Sequence, residues 1–459
     1  VIRLLLLSPK GPLYRRSGIF KQSLRYMPLT LPTLASLIPN DLQVELECLD
    51  EGWTDFDPET ADFDLVGMTV ITGSAPRAYR LAGRLRERGV AVVLGGPHVT
   101  LAPEDAAPHA DAIVVGYAED TWPELLRDYV AGRLAPRYDQ APGLSLAGRP
   151  RPDRSVLPSR RYLTKDVFEA TRSCVHACEF CVAPSAWGRT PLHKPVSDVI
   201  DDLRAEGSKK AIFVDLNLIS NRGYAEELFS ALVPLHLQWY GLATTLVARE
   251  GELLTLMQRS GCRGLLLGLE SIVGANLDAA RKGFNRPDDF GAIVDTLHRH
   301  DISVQGCFVF GLDQDTAATC RETAELAVDI GIDLPRFAIA TPFPGTPFHH
   351  RLEREGRILT RNWELYDGQH VVFQPARMTV QELERATEAA WKHAYSWRGI
   401  ARRLRHTVAP WPVALATNLG YRYYAHNLHR FYTCDWTLAA DPLQGWGPTP
   451  VGLRRRGAV

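Results

Sequence analysis

The sequence predicts an α/β protein in three parts: an N-terminal doubly wound parallel sheet, a partial (β/α)6 barrel, and a mainly helical C-terminal extension. Three observations carry this. Apolar runs at residues 1–8, 64–70, 90–94 and 112–115 alternate with helical patterns, and the last two break at Gly95 and Gly116, as strands of an open parallel sheet do before a helix. Beyond residue 160 the alternation resumes with six more runs. From Trp391 to Cys434 there is no acidic residue, while Lys392, Arg398, Arg402, Arg403, Arg405, Arg422 and Arg430 fall in that span.

Taken in order, residues 1–140 form the first unit. The opening VIRLLLLSPKGP resembles the start of a secretory leader, but its apolar run is short. Pro9 and Gly11 interrupt it and no small-residue cleavage site follows, so a buried strand entering a loop is the better reading. Residues 76–89 carry Tyr79, Ala82 and Leu85 at helical spacing and stop at Gly89. Residues 121–130 place Trp122, Leu125, Leu126 and Tyr129 on one side of a helix. From residue 132 the chain turns rich in Pro, Gly and Arg, which marks a linker over 141–160. The barrel occupies 161–350, with strands at 167–171, 210–215, 239–244, 264–270, 303–310 and 336–341 and helices such as 196–206, 223–233 and 250–260. The run at 264–269 lacks alternation, as expected of a strand covered by helices. Residues 351–459 are the extension, which carries Trp363, Trp391, Trp397, Trp411, Trp436 and Trp446 and is expected to cap the substrate chamber.

Bulk properties narrow the function. A chain of 459 residues with 45% hydrophobic residues needs more than one core. Its net charge of -1 excludes general polyanion binding, so nucleic acid is not an expected partner. No stretch of about 20 apolar residues predicts a membrane span. Three of the 8 cysteines crowd into one loop and the others are scattered. That pattern indicates a reducing, cytoplasmic compartment and a thiolate site rather than a disulfide framework.

The crowded cysteines are Cys174, Cys178 and Cys181, in the spacing C-x3-C-x2-C directly after the strand at 167–171. Such a loop sits at the carboxyl end of a barrel strand, where barrel active sites form. Soft thiolates suit iron–sulfur clusters, and three of them leave one iron of a cubane open to another ligand. Zinc is the alternative. It usually takes four ligands, with His176 and His193 as candidates, and its structural knuckles favour C-x2-C.

With Phe180 as the aromatic residue, C-x3-C-x-aromatic-C resembles the signature of the radical S-adenosylmethionine enzymes. The segments FVDLNL at Phe213, CRGLLLGLES at Cys262, GCFVFGLDQDT at Gly306, FAIATPFPGTP at Phe337 and YDGQHVVFQP at Tyr366 are similar to that family's strand ends. They follow the order of its cobalamin-binding branch, so the resemblance spans almost the whole chain. It implies a [4Fe-4S] cluster on Cys174, Cys178 and Cys181, with S-adenosylmethionine chelating the open iron. Reductive cleavage of that cofactor then gives a 5′-deoxyadenosyl radical. It further implies that Phe180 packs near the adenine, that Asp215 and Asn217 lie near the methionine moiety, and that Glu270 lies near the ribose. The family often has Gly-Gly-Glu where this chain has Asp215-Leu216-Asn217.

The fragment GGPHVTLAPEDAAPHADAIVVGYAEDTWPELL, beginning at Gly95, resembles the cobalamin-binding domains fused to such enzymes. By that likeness Gly95, Gly96 and Gly116 line the nucleotide tail, with Thr69 and Thr72 as hydroxyl partners. Many cobalamin domains carry Asp-x-His-x-x-Gly after the first strand. Here the segment reads SPKGPLYRR, so cobalamin is expected without a protein histidine on cobalt. His98 belongs to the tail-side loop.

Together the likenesses imply a cobalamin-dependent radical C-methyltransferase that moves a methyl group from methylcobalamin to an unactivated carbon of a small or natural-product substrate. Flavodoxin or ferredoxin would serve as reductant. The alternatives are a cyclase or rearrangement enzyme with the same cofactors, and a zinc-bearing binding module. No catalytic residue is singled out; Tyr117, Tyr366 and Asp367 are loop residues only. The aromatic and basic extension is read as a helical cap with a solvated face, and it leaves room for peripheral membrane contact.

Overall fold

The structure, a computed structural model, describes residues 1–11 and 26–428. The N-terminal sheet contains β1 (Ile2–Ser8), β2 (Val44–Asp50), β3 (Leu65–Thr69), β4 (Ala91–Gly95), β5 (Ala112–Val115) and β6 (Arg137–Asp139). They lie in the order β2-β1-β3-β4-β5-β6 and every pair is parallel. Leu4 to Leu7 of β1 are fully buried, alternate residues feeding two separate cores. A strand covered on both faces has no polar positions, which is why it reads as a plain apolar run. The chain leaves β1 in one direction to β2 and in the other to β3, so the crevice expected of a doubly wound sheet opens beside their carboxyl ends. The expected helices appear as Ala75–Glu87 and Thr121–Val130. β2, which the apolar runs do not reveal, is an edge strand whose Glu45 and Glu47 face solvent.

The second sheet contains β7 (Val167–Phe168), β10 (Lys210–Phe213), β11 (Gln238–Ala243), β12 (Cys262–Glu270), β13 (Ser303–Phe310) and β14 (Arg336–Ile339), separated in sequence by a short hairpin of β8 (Thr171–Arg172) and β9 (Leu192–His193). Its order β14-β13-β12-β11-β10-β7 is sequential and parallel throughout, the arrangement of an open (β/α)6 barrel. The expected strand at 167–171 is interrupted. The backbone N–H groups of Ala170 and Thr171 donate to the carboxylate of Asp215, not to a neighbouring strand. β12 also corrects the expectation of a uniformly covered strand. Leu265, Leu267 and Leu269 are buried, whereas Leu266 and Gly268 are only half-buried.

Residues 141–160 are not a free linker. Leu144, Leu146 and Leu157 are buried. Arg154 forks onto Asp202 at 2.8 and 2.9 Å with its guanidinium 4.8 Å from the Phe168 ring centre. Both charges of that pair lie in the interior, so the crossover is anchored to the barrel helix Val196–Glu206.

Past the barrel, Thr379 and Glu382 cap each other's backbone and start the helix Val380–Ala394. This helix covers the edge strand β14, since Trp391 Nε1 donates to Phe337 O at 3.0 Å and the Tyr395 hydroxyl to Pro335 O at 2.9 Å. Helices Trp397–Arg403 and Trp411–His426 follow. The basic face is partly interior: Arg403 is 1% exposed and donates to the carbonyls of Asp333 and Ala394. Arg430, Cys434, Trp436 and Trp446 lie outside the described residues. No helix of the described residues is long and apolar enough to cross a membrane.

Candidate active site

The thiol loop leaves β8 through Ser173, whose φ of 67° turns the chain sharply toward Cys174. Two other elements then hold its centre. Glu179 N donates to Ala280 O at 3.1 Å, and Phe348 N donates to Glu179 O at 3.1 Å. The Glu179 carboxylate takes a 2.8 Å hydrogen bond from Arg351, which also grips Asp313 at 2.7 Å. Cys174, Cys178 and Cys181 are all free thiols, and Cys178 is buried. Phe180 packs half-buried against the barrel core. Burial pushes the Cys178 thiol up to about 11 and raises Cys181 as well, so metal binding there must expel protons. The all-sulfur donor set of the loop fits an iron–sulfur cluster, with the three thiolates on separate irons.

A lysine that the sequence reading missed faces this loop. Lys282 is buried beside Cys178 and Cys181 and forms an ion pair with Glu270, the last residue of β12. Burial works against the ammonium charge, and the carboxylate of Glu270 more than offsets it. A Cβ at Gly268 would collide with both charged groups, so a side chain there would push the ion pair aside. Asn285 braces the turn by donating to Gly268 O and Leu269 O at 2.9 and 3.0 Å. Glu270, expected near a ribose, is thus committed in the structure to Lys282. The only hint in the sequence is a Lys-Gly pair twelve residues after Glu270.

Asp215 and Asn217 follow β10 and behave differently. Asp215 is 1% exposed and turned back onto the N–H groups of residues 170 and 171, so it shapes the approach to the thiol loop. Burial, with Glu169 nearby, pushes its carboxyl up to about 7. Asn217 is as deeply buried, yet its Oδ1 has no partner in the protein. The hydroxyl oxygens of Ser220 and Thr244 are likewise buried without a partner, whereas the Thr171 side chain lies against the Asp215 carboxylate. Each unpartnered atom costs about 1–3 kcal/mol if left unsatisfied. Three of them just past the carboxyl ends of neighbouring strands suit a polar ligand with several donors, such as an amino acid or nucleoside moiety.

Between the two sheets lies a cavity of about 330 Å³. One wall is Thr69, Gly95, Gly96, Gly116 and Tyr117 from the first sheet; the opposite wall is Glu169, Thr171, Arg172 and Leu216 from the barrel. An apolar end formed by Leu6, Leu29, Leu34, Leu37 and Trp122 runs back over the sheet. The seam is fastened by Arg172, which pairs with Glu119 of the first unit and with Glu169 at 2.9 Å. Tyr117 stacks on Trp187 with ring centres 5.6 Å apart.

The glycines of this wall divide into two kinds. Gly96 has φ 101°, and a Cβ there would stand 2.8 Å from Val70 N; at Gly116 (φ 89°) it would stand 2.7 Å from Gln140 Cβ. The protein's own backbone and packing demand those two. Gly95 has only Val114 at 3.5 Å, an ordinary contact, so its missing side chain leaves space in the cavity itself. Thr72 does not line the cavity. It is buried with its hydroxyl 3.4 Å from His98 Nδ1, and His98 Nε2 lies 3.0 Å from the Tyr79 hydroxyl and 3.1 Å from Asp105. Gly95→Val suits an extended strand and is expected to fold normally with its full iron content, while its affinity for cobalamin falls at least about tenfold, equivalent to about 1.4 kcal/mol. Equilibrium binding of hydroxocobalamin to the purified variant checks this, and unchanged affinity would remove Gly95 from the site.

Fold and site together define a class: an enzyme with a doubly wound domain set over the mouth of a partial barrel that carries a three-thiolate loop. Residues 47–126 match the B12 binding domain family. The chain is 29% identical to bacteriochlorophyllide d C-12(1)-methyltransferase of Chlorobaculum tepidum, covering 84% of this chain and 86% of that protein. It is 30% identical to bacteriochlorophyllide d C-8(2)-methyltransferase of the same organism, covering 82% and 87%. Its fold is similar to the radical S-adenosylmethionine methyltransferase TsrM from Kitasatospora setae, solved with cobalamin and a [4Fe-4S] cluster. That TM-score is 0.64 at 17% identity, over 95% of this chain and 99% of that one. The chain belongs to the cobalamin-binding radical S-adenosylmethionine enzymes.

Proposed function

We propose that this enzyme is a C-methyltransferase acting on an unactivated carbon of a small natural product, with flat tetrapyrroles of the bacteriochlorophyllide type as the first class to test. The observation that carries the reading is the cavity, whose walls come from the B12-matched region on one side and from the approach to the thiol loop on the other. Support also comes from the similarity, over more than four fifths of each chain, to two bacteriochlorophyllide methyltransferases. When bound, the cluster and S-adenosylmethionine would supply a hydrogen-abstracting radical and cobalamin the methyl group.

The chain's own residues do the remaining work. Cys174, Cys178 and Cys181 would hold the cluster, and Asn217 with Thr244 would receive the polar groups of S-adenosylmethionine. Gly95 leaves space for cobalamin, and the SPKGPLYRR segment, whose residues 12–16 lie outside the described residues, contains no histidine to ligate cobalt. The Arg172–Glu119 pair and the Tyr117–Trp187 stack keep the two units registered, so that reacting groups meet at a fixed distance and water is excluded. An electron donor of the flavodoxin or ferredoxin type completes the system.

The test is anaerobic turnover of the reconstituted enzyme with methyl-deuterated S-adenosylmethionine and a panel of tetrapyrroles beginning with bacteriochlorophyllide d. Label in a new carbon-bound methyl group supports the proposal. A cyclised or rearranged product without label overturns it in favour of the other chemistry open to the family.

A further inference from the structure

The helix Pro347–Arg354 carries a second cluster of ligating side chains, away from the cysteines in sequence and chemistry. One ring nitrogen of His349, one of His350 and one carboxylate oxygen of Glu353 lie within 4.8 Å of one another, and no other trio of His, Cys, Asp or Glu does so among the described residues. The helix itself produces this grouping. Glu353 is four residues after His349 and three after His350, so its carboxylate rises next to both rings, one buried and one exposed.

A second observation concerns His349 alone. It is 7% exposed, and neither Nδ1 nor Nε2 has a hydrogen-bond partner. A neutral imidazole has one N–H donor and one lone pair, and burying both unused costs about 1–3 kcal/mol each. His350 and Glu353 are exposed, so an ion has a path in from solvent. Alongside, Arg361 donates to Oε1 of Glu353 at 2.5 Å, so Oε2 is the oxygen offered to an ion.

From this geometry we infer that His349, His350 and Glu353 form a binding site for a borderline-soft divalent cation, with zinc the best match. Two imidazoles and a carboxylate are a common zinc donor set, with a water in the fourth position. Zinc ligand atoms at about 2.0–2.1 Å from the metal stand roughly 3.3 Å apart, and rotation of the two exposed side chains closes the remaining gap. The site lies on the helix that grips the thiol loop, because Arg351 and Phe348 N both bind Glu179. An ion here cross-links successive turns of that helix and stiffens the support of the loop.

The experiment uses the full-length holoenzyme with cluster and cobalamin loaded. Zinc chloride is titrated calorimetrically into it and into His350→Ala and Glu353→Gln, whose altered side chains are exposed and leave the core untouched. X-ray absorption at the zinc edge and thermal melting then follow. The expected result is one zinc per chain with a nitrogen and oxygen shell at about 2.0–2.1 Å, at least tenfold weaker binding in each variant, and a melting temperature raised by zinc in the parent protein only. Binding equal in parent and variants, a sulfur shell at about 2.3 Å, or no binding at all overturns the inference. None of these readouts depends on methyl transfer, so the site stands or falls separately from the proposed reaction.

Discussion

Cys178→Ser is expected to yield a folded protein that cannot retain the roughly four irons of a cubane and has no detectable S-adenosylmethionine cleavage. Folding should survive, because the loop is held by contacts of Glu179 that do not use sulfur: its N–H to Ala280, its carbonyl to Phe348 and its carboxylate to Arg351. Serine offers a hard oxygen where soft thiolate is required. Cys48→Ser is the control, since Cys48 sits in the edge strand β2 of the other sheet. Iron analysis, the brown absorption of the reconstituted protein and 5′-deoxyadenosine formation are the measurements. Full iron content in Cys178→Ser, or equal loss in Cys48→Ser, would show that the cluster is held elsewhere.

The second large effect is expected at Lys282. Lys282→Met leaves the Glu270 carboxylate buried without its partner; breaking a buried ion pair from one side costs about 3–5 kcal/mol. Glu270→Gln with Lys282→Met removes both charges and should recover most of that loss, so the two substitutions are strongly non-additive. The ammonium also lies beside Cys178 and Cys181, and its removal should make a bound cluster harder to reduce, because a nearby positive charge favours the added electron. Denaturant unfolding of the single and double variants reads the first effect, and the cluster's reduction potential reads the second. Additive losses with an unchanged potential would leave Lys282 without a role at the site.

Much of this architecture was legible because it rests on local patterns. The apolar runs became strands close to their expected places, helices 121–130 and 196–206 appeared at their expected bounds, and the sequential barrel order followed from the strand and helix alternation. The thiol spacing was equally readable, since three cysteines in eight residues need no tertiary contact to be noticed. What escaped was of two kinds. Edge strand β2 has an alternating, half-polar pattern with little apolar weight. The other misses were partnerships. Glu270 meets Lys282, Arg172 meets Glu119 across the seam, and Asp215 faces the backbone at 170 and 171 rather than the open mouth.

The glycines show the same division. Gly95, Gly96 and Gly116 look alike in the chain, at or just past the ends of strands. Only the positions of Val70, Gln140 and Val114 reveal that two serve the protein's own packing and one opens onto the cavity.

The sequence by itself determined the kinds of elements and their order and displayed the thiol spacing, because periodicity and residue spacing act over a few residues. The tertiary structure decided which polar groups are satisfied and which are left open. Glu179 and Arg351 are 172 positions apart, and the energy of such a pair depends on burial and distance, which exist only once the chain has folded.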